Sequence, residues 1–370
     1  MDSFDLIIFL ITVNIGFLIL ITVLFSYIII GKILAGYRAA RKKILFQNLE
    51  DAFLPLIVLN DDSEANKILS GLKPSKLEDF VEFISIYLTN IKGDDFERII
   101  TALYKSPLFK NLCELTLSKD IDIKLYSIYC LGLMKRPACI DNLFTALEDR
   151  NFFVRMAAVK AIAQIGCLEA IERVLETLSK EKLITSYKLC EMLWLFGEDI
   201  CPYIYKALQK RDGKIIKIDS DDLLTSAVIE LLGYFKYFDA SGEIHQILKE
   251  TSQYSIIKSC LYSLGKMVYT DAAAEIEKYL DSPNSEVRLG AVKAVLEFRS
   301  TDKIDKLKEL LNDPDWNVRY NSGLALYEMN FDFQSYIFSP ELAGLELNRA
   351  YRTIVHILTE KHSAEEELSA

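Results

Sequence analysis

An internal repeat constrains the fold of this chain more than any other feature. Three segments share a Leu, an Asp or Ser two positions later, and a Val-Arg pair whose Arg follows the Leu by eight positions. They begin at Leu147 (LEDRNFFVRMAAVKAIAQIG), Leu280 (LDSPNSEVRLGAVKAVLEF) and Leu311 (LNDPDWNVRYNSGLALYEM). When each Arg is taken as an anchor, the same frame contains four weaker copies. The seven anchors are Lys124, Arg155, Ser186, Thr225, Ile257, Arg288 and Arg319.

The spacing of the anchors indicates a helical repeat. Successive anchors are 31, 31, 39, 32, 31 and 31 residues apart. Positions 4 and 7 after each anchor carry Ile, Leu, Val, Cys or Gly, and positions 4, 7 and 11 share one face of a helix. Each copy predicts a helix that ends near the Leu, a polar capping turn, and a second helix that begins around the Val-Arg pair. The predicted fold class is all-α, an α-hairpin solenoid whose repeats bury their apolar faces against one another.

This pattern closely resembles the HEAT repeat, in particular the short bacterial form named after the phycobilisome lyases. The resemblance covers about residues 111–330, which we interpret as a HEAT-like array of seven repeats. In that family, the Asp of the turn and the Arg form a ladder between neighbouring repeats. The resemblance implies a ladder, interrupted between residues 186 and 257, that uses Asp149, Asp281 and Asp313 with Arg155, Arg288 and Arg319.

An apolar segment without charges lies at residues 6–30, with the sequence LIIFLITVNIGFLILITVLFSYIII. At about 1.5 Å per residue it is long enough to span a hydrocarbon core, so we expect an N-terminal transmembrane helix within residues 1–31. A cleaved signal peptide is the less favoured alternative, because Asp2 and Asp5 precede the segment in place of a basic start. Asn14, its one strongly polar side chain, either bonds to another membrane helix or is tolerated in lipid.

Basic residues after this segment predict its orientation. No Lys or Arg precedes the segment, and a basic collar follows it, formed by Lys32, Arg38, Arg41, Lys42 and Lys43. The positive-inside rule then predicts a single-pass protein of the cell membrane, with a short outer N-terminus and a cytoplasmic repeat array. The seven cysteines form no C-x-x-C pair, so we expect them to be reduced. Residues 32–110 are expected to form a juxtamembrane helix and degenerate capping hairpins, and residues 331–370 a C-terminal cap helix with an acidic tail.

The sequence contains no familiar catalytic or cofactor motif. There is no phosphate-binding glycine loop, nucleophile elbow, zinc-protease motif or calcium loop. Its three histidines are widely separated, and Asp219, Asp221 and Asp222 are better explained as helix-capping residues than as metal ligands. These observations favour a protein that is not an enzyme and that has no catalytic residue, cofactor or metal.

Two surfaces are candidates for binding a partner. The long interval between anchors contains a basic insertion at residues 203–221, which is either a partner-binding loop or a tolerated surface loop. Positions 2, 5 and 9 after each anchor point away from the core and line the concave side of this fold, where Tyr and mixed charge suit a protein interface. A solvated face would look similar. The predicted partner-binding residues are Tyr126, Tyr129, Lys160, Lys188, Glu191, Glu230, Tyr234, Tyr262, Lys266 and Lys293.

The leading hypothesis is a membrane-anchored cytoplasmic scaffold or adaptor that binds a protein partner through its solenoid. That partner can be an integral membrane protein, and the chain can be an accessory subunit of a membrane enzyme complex such as an envelope polysaccharide glycosyltransferase. The resemblance also implies an alternative, a bilin lyase or isomerase-like enzyme or a small-molecule binder, although the leading hypothesis expects no small-molecule substrate. Nucleic acid is disfavoured as a partner, because 38 Lys and Arg oppose 51 Asp and Glu after residue 43.

Overall fold

The computed structural model describes residues 3–59, 61–181, 184–209, 222–337 and 349–369. Within these ranges every regular element is an α-helix or a short 3-10 helix, and none is a strand. The fold class is all-α, as the helical periodicity predicts. The chain forms two compact units, residues 1–146 and residues 147–370.

The first unit begins with one very long helix, α1 (Ser3–Leu59). Side chains at residues 14–41 are all exposed. Further along, Leu45, Leu49, Phe53 and Leu56 are buried at helical spacing. Among the described residues, α1 is the one helix that is long and apolar enough to cross a membrane. Its side chains at residues 14–41 are therefore exposed, whereas its last part belongs to the core of the unit.

Six shorter helices complete the first unit: α2 (Ser63–Ser70), α3 (Leu77–Asn90), α4 (Asp94–Lys105), α5 (Pro107–Leu115), α6 (Ile121–Met134) and α7 (Ile140–Leu147), which ends at the unit boundary. The end of α1 packs on α2, α3 and α4. The Phe53 and Phe83 rings stack with centroids 6.0 Å apart. Arg98 of α4 donates to the carbonyl oxygen of Ile57 at 2.7 Å, which satisfies an end of α1. The apolar helix thus continues without a break into a packed domain.

One expectation about the cysteines is wrong. Cys113 and Cys139 form a disulfide, with Cα atoms 6.0 Å apart. The 3-10 turn that precedes α7 folds back against α5, and Asn142 also donates to the Cys113 carbonyl oxygen at 3.0 Å. The pairing depends on how two hairpins pack against each other. The 26-residue separation of the two cysteines therefore does not predict the disulfide. The other five cysteines are free.

The second unit is an array of helical hairpins. Its helices are α8 (Phe152–Ile165), α9 (Ile171–Ser179), α10 (Ser186–Trp194), α11 (Cys201–Gln209), α12 (Asp222–Tyr234), α13 (Ser241–Glu250), α14 (Tyr254–Lys266), α15 (Ala273–Lys278), α16 (Ser285–Phe298), α17 (Ile304–Leu310), α18 (Trp316–Glu328), α19 (Phe333–Ile337) and α20 (Arg349–Ser369). Helices α8, α10, α12, α14, α16 and α18, which we call the inner helices, pack on one another in succession. At the C-terminal end of the array, α20 packs on α18.

Local chemistry explains where the inner helices begin and end. Asn151, Asn284 and Asp315 cap the starts of α8, α16 and α18, each accepting from the backbone N–H groups two and three residues on. Eleven positions after every anchor, the backbone has a positive φ, between 51° and 77°. These seven residues are Lys135, Gly166, Gly197, Lys236, Val268, Arg299 and Asn330.

The predicted insertion is only partly within the described ranges. Residues 203–209 belong to α11, a regular helix of the array. Residues 210–221, with Lys210, Arg211, Asp219 and Asp221, lie outside the described residues. The predicted C-terminal cap is likewise described only over residues 331–337 and 349–369.

Candidate functional site

A recess of about 470 Å³ opens on the inner helices of the second unit. Four successive inner helices contribute to it, α12, α14, α16 and α18. Its lining consists of Glu230, Lys258, Tyr262, Glu286, Leu289, Gly290, Lys293 and Asn317. We call this recess the inner groove.

Sequence reasoning found three of these residues and missed five. Glu230, Tyr262 and Lys293 all lie five positions after an anchor and were predicted to bind a partner. The others lie two positions before an anchor, or one or two after it. Gly290 lies at position 2, which the prediction placed on this face without naming the residue. The positions of the other four continue the same helical face by one turn toward the N-terminus, so extending the pattern backward would have found them.

Charges in and beside the inner groove are paired across repeats. Lys258 Nζ lies 2.9 Å from a Glu286 carboxylate oxygen, which joins α14 to α16. Ser259 Oγ donates to Glu230 at 2.8 Å, which joins α14 to α12. The groove presents paired charges of both signs beside one aromatic ring. Such a surface suits a polar peptide better than a phosphate backbone.

The Tyr262 side chain interacts with charges of both signs. Burial raises the pKa of Tyr262, the charge of Lys266 lowers it, and the carboxylate of Glu230 raises it. Lys266 itself pairs with Glu297, and its pKa is raised chiefly by that hydrogen bond. At neutral pH the phenol is protonated and can donate or accept one hydrogen bond.

The predicted stripe continues along α10 and α12. Lys188 Nζ contacts both carboxylate oxygens of Glu191 at 2.9 Å. Tyr234 is exposed, with its ring 5.2 Å from that of Phe235. Cys190 also lies on α10, and burial together with the charge of Glu230 raises its pKa to about 11. Its thiol is therefore protonated near neutral pH and is a poor nucleophile. Lys160 is exposed on α8.

Two predicted partner-binding residues, Tyr126 and Tyr129, lie in the first unit on α6. Both are half-buried. Burial and a hydrogen bond to Glu78 raise the pKa of Tyr126 to about 12. A recess of about 600 Å³ lies beside Tyr126, lined also by Glu78, Asp120 and Ile123 among others. Tyr126 thus lines a different recess from Glu230, Tyr262 and Lys293, and Tyr129 lines neither of the two recesses.

Ladder arginines join neighbouring repeats at two places. Arg288 Nε and Nη2 donate to the two carboxylate oxygens of Asp313 at 2.7 and 2.8 Å, while Nη1 donates to the Ser282 carbonyl oxygen at 2.7 Å. Hydrogen bonding to Asp313 is the main cause that raises the pKa of Arg288. Arg155 holds Glu181 with the same two nitrogens, Nη2 at 2.8 Å. Each arginine therefore binds its own turn and the next turn at once.

The pairing differs from the implied ladder in two respects. Asp281 binds Lys306 at 2.6 Å, because Ser282, and not Asp281, occupies the turn position six residues before the Arg. Asp149 offers its backbone carbonyl oxygen to Arg155 at 2.8 Å, and its carboxylate accepts from the Asn151 N–H at 2.8 Å. The carboxylate that Arg155 holds comes instead from Glu181.

The basic collar lies on the exposed part of α1. Lys32, Arg38, Arg41 and Lys43 are exposed. Lys42 differs from them, since it forms an ion pair with Glu82 of α3. Among the described residues, no group of His, Cys, Asp and Glu could hold a metal ion.

Comparison with known proteins identifies the repeats. Residues 109–186 and 273–332 match the HEAT repeats family. The chain is a HEAT-like repeat protein. The two matches leave out residues 187–272, where the anchors are Thr225 and Ile257. A HEAT-like fold is compatible with a protein-interaction scaffold.

One relative of this HEAT-like protein is a subunit of an enzyme. The phycocyanobilin lyase subunit alpha of Nostoc sp. (strain PCC 7120 / SAG 25.82 / UTEX 2576) is 22% identical over 215 residues, which are 55% of this chain and 67% of the relative. The prediction that the chain is not an enzyme is wrong in light of this lyase relative, which points toward enzymatic function.

Solved structures with the same kind of helical array are more distant. The complex of CpcE and CpcF of phycocyanin lyase from Nostoc sp. PCC7120 is 18% identical, with 60% of this chain and 76% of that chain covered and a TM-score of 0.30. Kap121p bound to Nup53p is 13% identical, with 85% and 40% covered and a TM-score of 0.43. These TM-scores are too low to support any inference about function.

Proposed function

We propose that this HEAT-like protein is anchored in a membrane by α1 and binds a protein partner in the inner groove, as a subunit of an enzyme complex. The observation that carries the proposal is the groove itself, where four inner helices present charges of both signs around Tyr262. Half-buried aromatic and charged side chains that line a recess are typical of the centre of a protein interface.

The form of α1 supports the membrane anchor. Its side chains at residues 14–41 are exposed, and the same helix then enters the core of the first unit. The basic collar supports an orientation with the repeats in the cytoplasm of a single-pass cell-membrane protein. An anchor of this kind raises the concentration of a bound partner at the bilayer. Resistance to alkaline carbonate extraction, and protection of the repeats from protease added outside intact cells, test the anchor and its orientation.

Purification of the full-length chain in mild detergent, followed by mass spectrometry, tests the groove. The test variant carries Tyr262→Ala and Lys293→Glu. The matched control carries Tyr203→Ala and Lys278→Glu, which remove the same residue types from α11 and α15, outside the set of inner helices, where both are exposed. We expect a stoichiometric partner that the control retains and the test variant loses. Equal recovery from the two variants would contradict the proposal.

The predicted partner, a membrane enzyme such as an envelope polysaccharide glycosyltransferase, stays a prediction that the same purification tests. The lyase relative favours a second candidate function, in which the groove handles a linear tetrapyrrole. Mixing the protein with phycocyanobilin then shifts the absorbance spectrum of the pigment, and Tyr262→Ala reduces the shift. An unchanged spectrum would eliminate this second function without affecting the first.

A further inference from the structure

One face of α1 continues from the apolar segment into residues 31–44, which we call the stalk because they join that segment to the core of the first unit. Six side chains spaced by three, four or seven positions share this face. We call them the α1 stripe: Thr22, Ser26, Ile33, Tyr37, Ala40 and Ile44. All six are exposed.

The part of the α1 stripe in the stalk is apolar, although the stalk lies beyond the apolar segment. Ile33 and Tyr37 are each 64% exposed, and Ile44 is 57% exposed. With Ala40 they follow the alternating spacing of three and four residues at which two helices pack side by side in water. Leu49 and the other buried residues of α1 lie on a different face. This apolar stretch, about 16 Å long, is therefore not covered by any described part of the chain.

Within the apolar segment, the same face carries hydroxyl groups. Thr22 and Ser26 lie one turn apart there, and Thr22 donates to the Leu18 carbonyl oxygen at 2.8 Å. Small polar side chains are typical of the faces at which membrane helices pack on one another. We propose that a helix of another integral membrane protein packs along the α1 stripe, from the bilayer into the stalk. This proposal rests on the membrane anchor of the proposed function and not on the inner groove.

Positive charge on both sides of the stripe selects the partner. Arg41 borders the stripe on one side, with its guanidinium 5.9 Å from the Tyr37 ring. Lys32 and Lys43 border it on the other side. Residues 6–49 contain no Asp or Glu, so two parallel copies of α1 would place these cations against one another. A partner helix with Asp or Glu beside its apolar face, just beyond its membrane span, would pair with them.

The bilayer surface fits the α1 stripe less well than a protein helix does. Basic amphipathic helices bind anionic membranes by lying in the plane of the interface. The helix α1 is continuous from Ser3 to Leu59, so the stalk extends in the direction of the apolar segment. A helix that crosses the bilayer and continues in this way points its stalk away from the surface. The partner is therefore a protein helix with acidic residues.

Site-specific photo-cross-linking of the full-length chain in its native cells tests the proposal. The photoreactive residue p-benzoylphenylalanine replaces Tyr37 or Ile44 on the stripe. In the matched control it replaces Ala35, which is exposed on the opposite face of the stalk. Mass spectrometry of the cross-linked peptides identifies what each site contacts. We expect both stripe sites to yield the same adduct, at least tenfold above Ala35, with an acidic peptide that adjoins a membrane span of a different protein.

Every other outcome overturns the proposal. An adduct with twice the mass of this chain would identify a second copy as the occupant. A cross-link within the chain would identify one of its own segments, and labelling of lipid without protein would identify the bilayer. Equal yield at Ala35, no adduct, or a partner peptide without Asp or Glu would equally contradict the proposal.

A pair of variants tests whether the apolar side chains of the stripe hold this partner. Ile33→Ser with Ile44→Ser is expected to lower recovery of the cross-linked protein in mild detergent at least tenfold. Leu54→Ser with Val58→Ser is the matched control, because it removes two exposed aliphatic side chains of α1 beyond the end of the stripe. Resistance to alkaline carbonate extraction verifies that both variants remain anchored. Equal recovery from the two anchored variants would overturn the proposal.

The groove variant separates this proposal from the proposed function. Tyr262→Ala with Lys293→Glu leaves α1 unchanged, so the Tyr37 adduct is expected to persist in it. If no Tyr37 adduct forms while the groove variant still loses its partner, the α1 stripe proposal fails and the groove proposal stands. If the adduct forms and the groove variant loses no partner, the reverse holds.

Discussion

Two interfaces between inner helices show different ways of joining neighbouring repeats. Between α16 and α18, the bond is an ion pair, since Arg288 holds both oxygens of Asp313. Between α12 and α14, where the anchors are Thr225 and Ile257, the helices approach closely at small residues. A Cβ atom placed on Gly233 would lie 2.5 Å from the Cα atom of Ser263.

A hydrogen bond also joins the closely packed helices α12 and α14. The Ser263 hydroxyl donates to the backbone carbonyl oxygen of Ile229 across the interface. The next interface, between α14 and α16, is also close, because a Cβ atom on Gly265 would lie 2.9 Å from the Cα atom of Ala294. Where the repeats lose the arginine, backbone proximity replaces the charged pair as the feature that fixes the spacing of neighbours. The array therefore has a charge-linked part and a closely packed part.

Loss of the charged link is expected to have the largest effect. Arg288→Met leaves the Asp313 carboxylate, whose side chain is 4% exposed, without its partner. Breaking a buried pair in this way lowers the free energy of unfolding by about 3 kcal/mol. Denaturation followed by circular dichroism measures the change. Lys258→Met is the matched control, since its pair with Glu286 is exposed and contributes about 0.5 kcal/mol or less. Equal losses of unfolding free energy in the two variants would show that the Arg288–Asp313 pair stabilises the protein no more than an exposed ion pair does.

A side chain added at the interface between α12 and α14 is expected to lower the free energy of unfolding. Gly233→Ala places a methyl group within 2.7 Å of three Ser263 atoms, two of which, Oγ and Cα, would lie at 2.4 and 2.5 Å. The helices must then separate, and overpacking of this kind costs about 2 kcal/mol. Gly242→Ala is the control, because nothing lies within 4 Å of a Cβ atom there. Unfolding midpoints of the two variants are compared, and a stable Gly233→Ala protein would contradict the close approach.

The repeat period made the array predictable, because a helix pair with one apolar face buries it only by stacking. Positions 4 and 7 after the anchors are buried, as at Val159 and Ile162, except that Cys190 is half-buried. The sequence did not predict the positive φ eleven residues after each anchor, because only two of the seven residues at that position are glycine. A conformation imposed by the next turn overrides the preference of the side chain, so that position has no consistent residue signal.

The candidate site was only partly predictable for a related reason. Glu230, Tyr262 and Lys293 share one position in the frame, and helical periodicity places them on one face. The partner of Arg155 was missed, because Glu181 lies outside the repeat pattern and meets the arginine only through packing. The Cys113–Cys139 disulfide was missed for the same reason. Contacts between repeats depend on their relative placement, which a periodic pattern does not specify.

One substitution is expected to strengthen the closely packed part. Val268 ends α14 with φ of 53°, a conformation that costs a β-branched residue about 1 kcal/mol or more. Its side chain is 47% exposed, so little burial is lost on removal. Val268→Gly is therefore expected to raise the free energy of unfolding by about 1 kcal/mol. The reverse change, Gly166→Val at the end of α8, is expected to lower it by a similar amount. A destabilised Val268→Gly protein would mean that packing of Val268 outweighs the strain.

Exposed inter-repeat pairs are expected to contribute least. Lys266 and Glu297 join α14 to α16, but their side chains are 40% and 38% exposed. Lys266→Ala should change the free energy of unfolding by about 0.5 kcal/mol or less, and the change should shrink in salt. Because hydrogen bonding to Glu297 raises the pKa of Lys266 from 10.5, the contribution is present below pH 10.5 and lost as the pH rises through the higher folded value. Salt-dependent denaturation measures it. A loss as large as that of Arg288→Met would mean that charge, and not close packing, holds the middle repeats together.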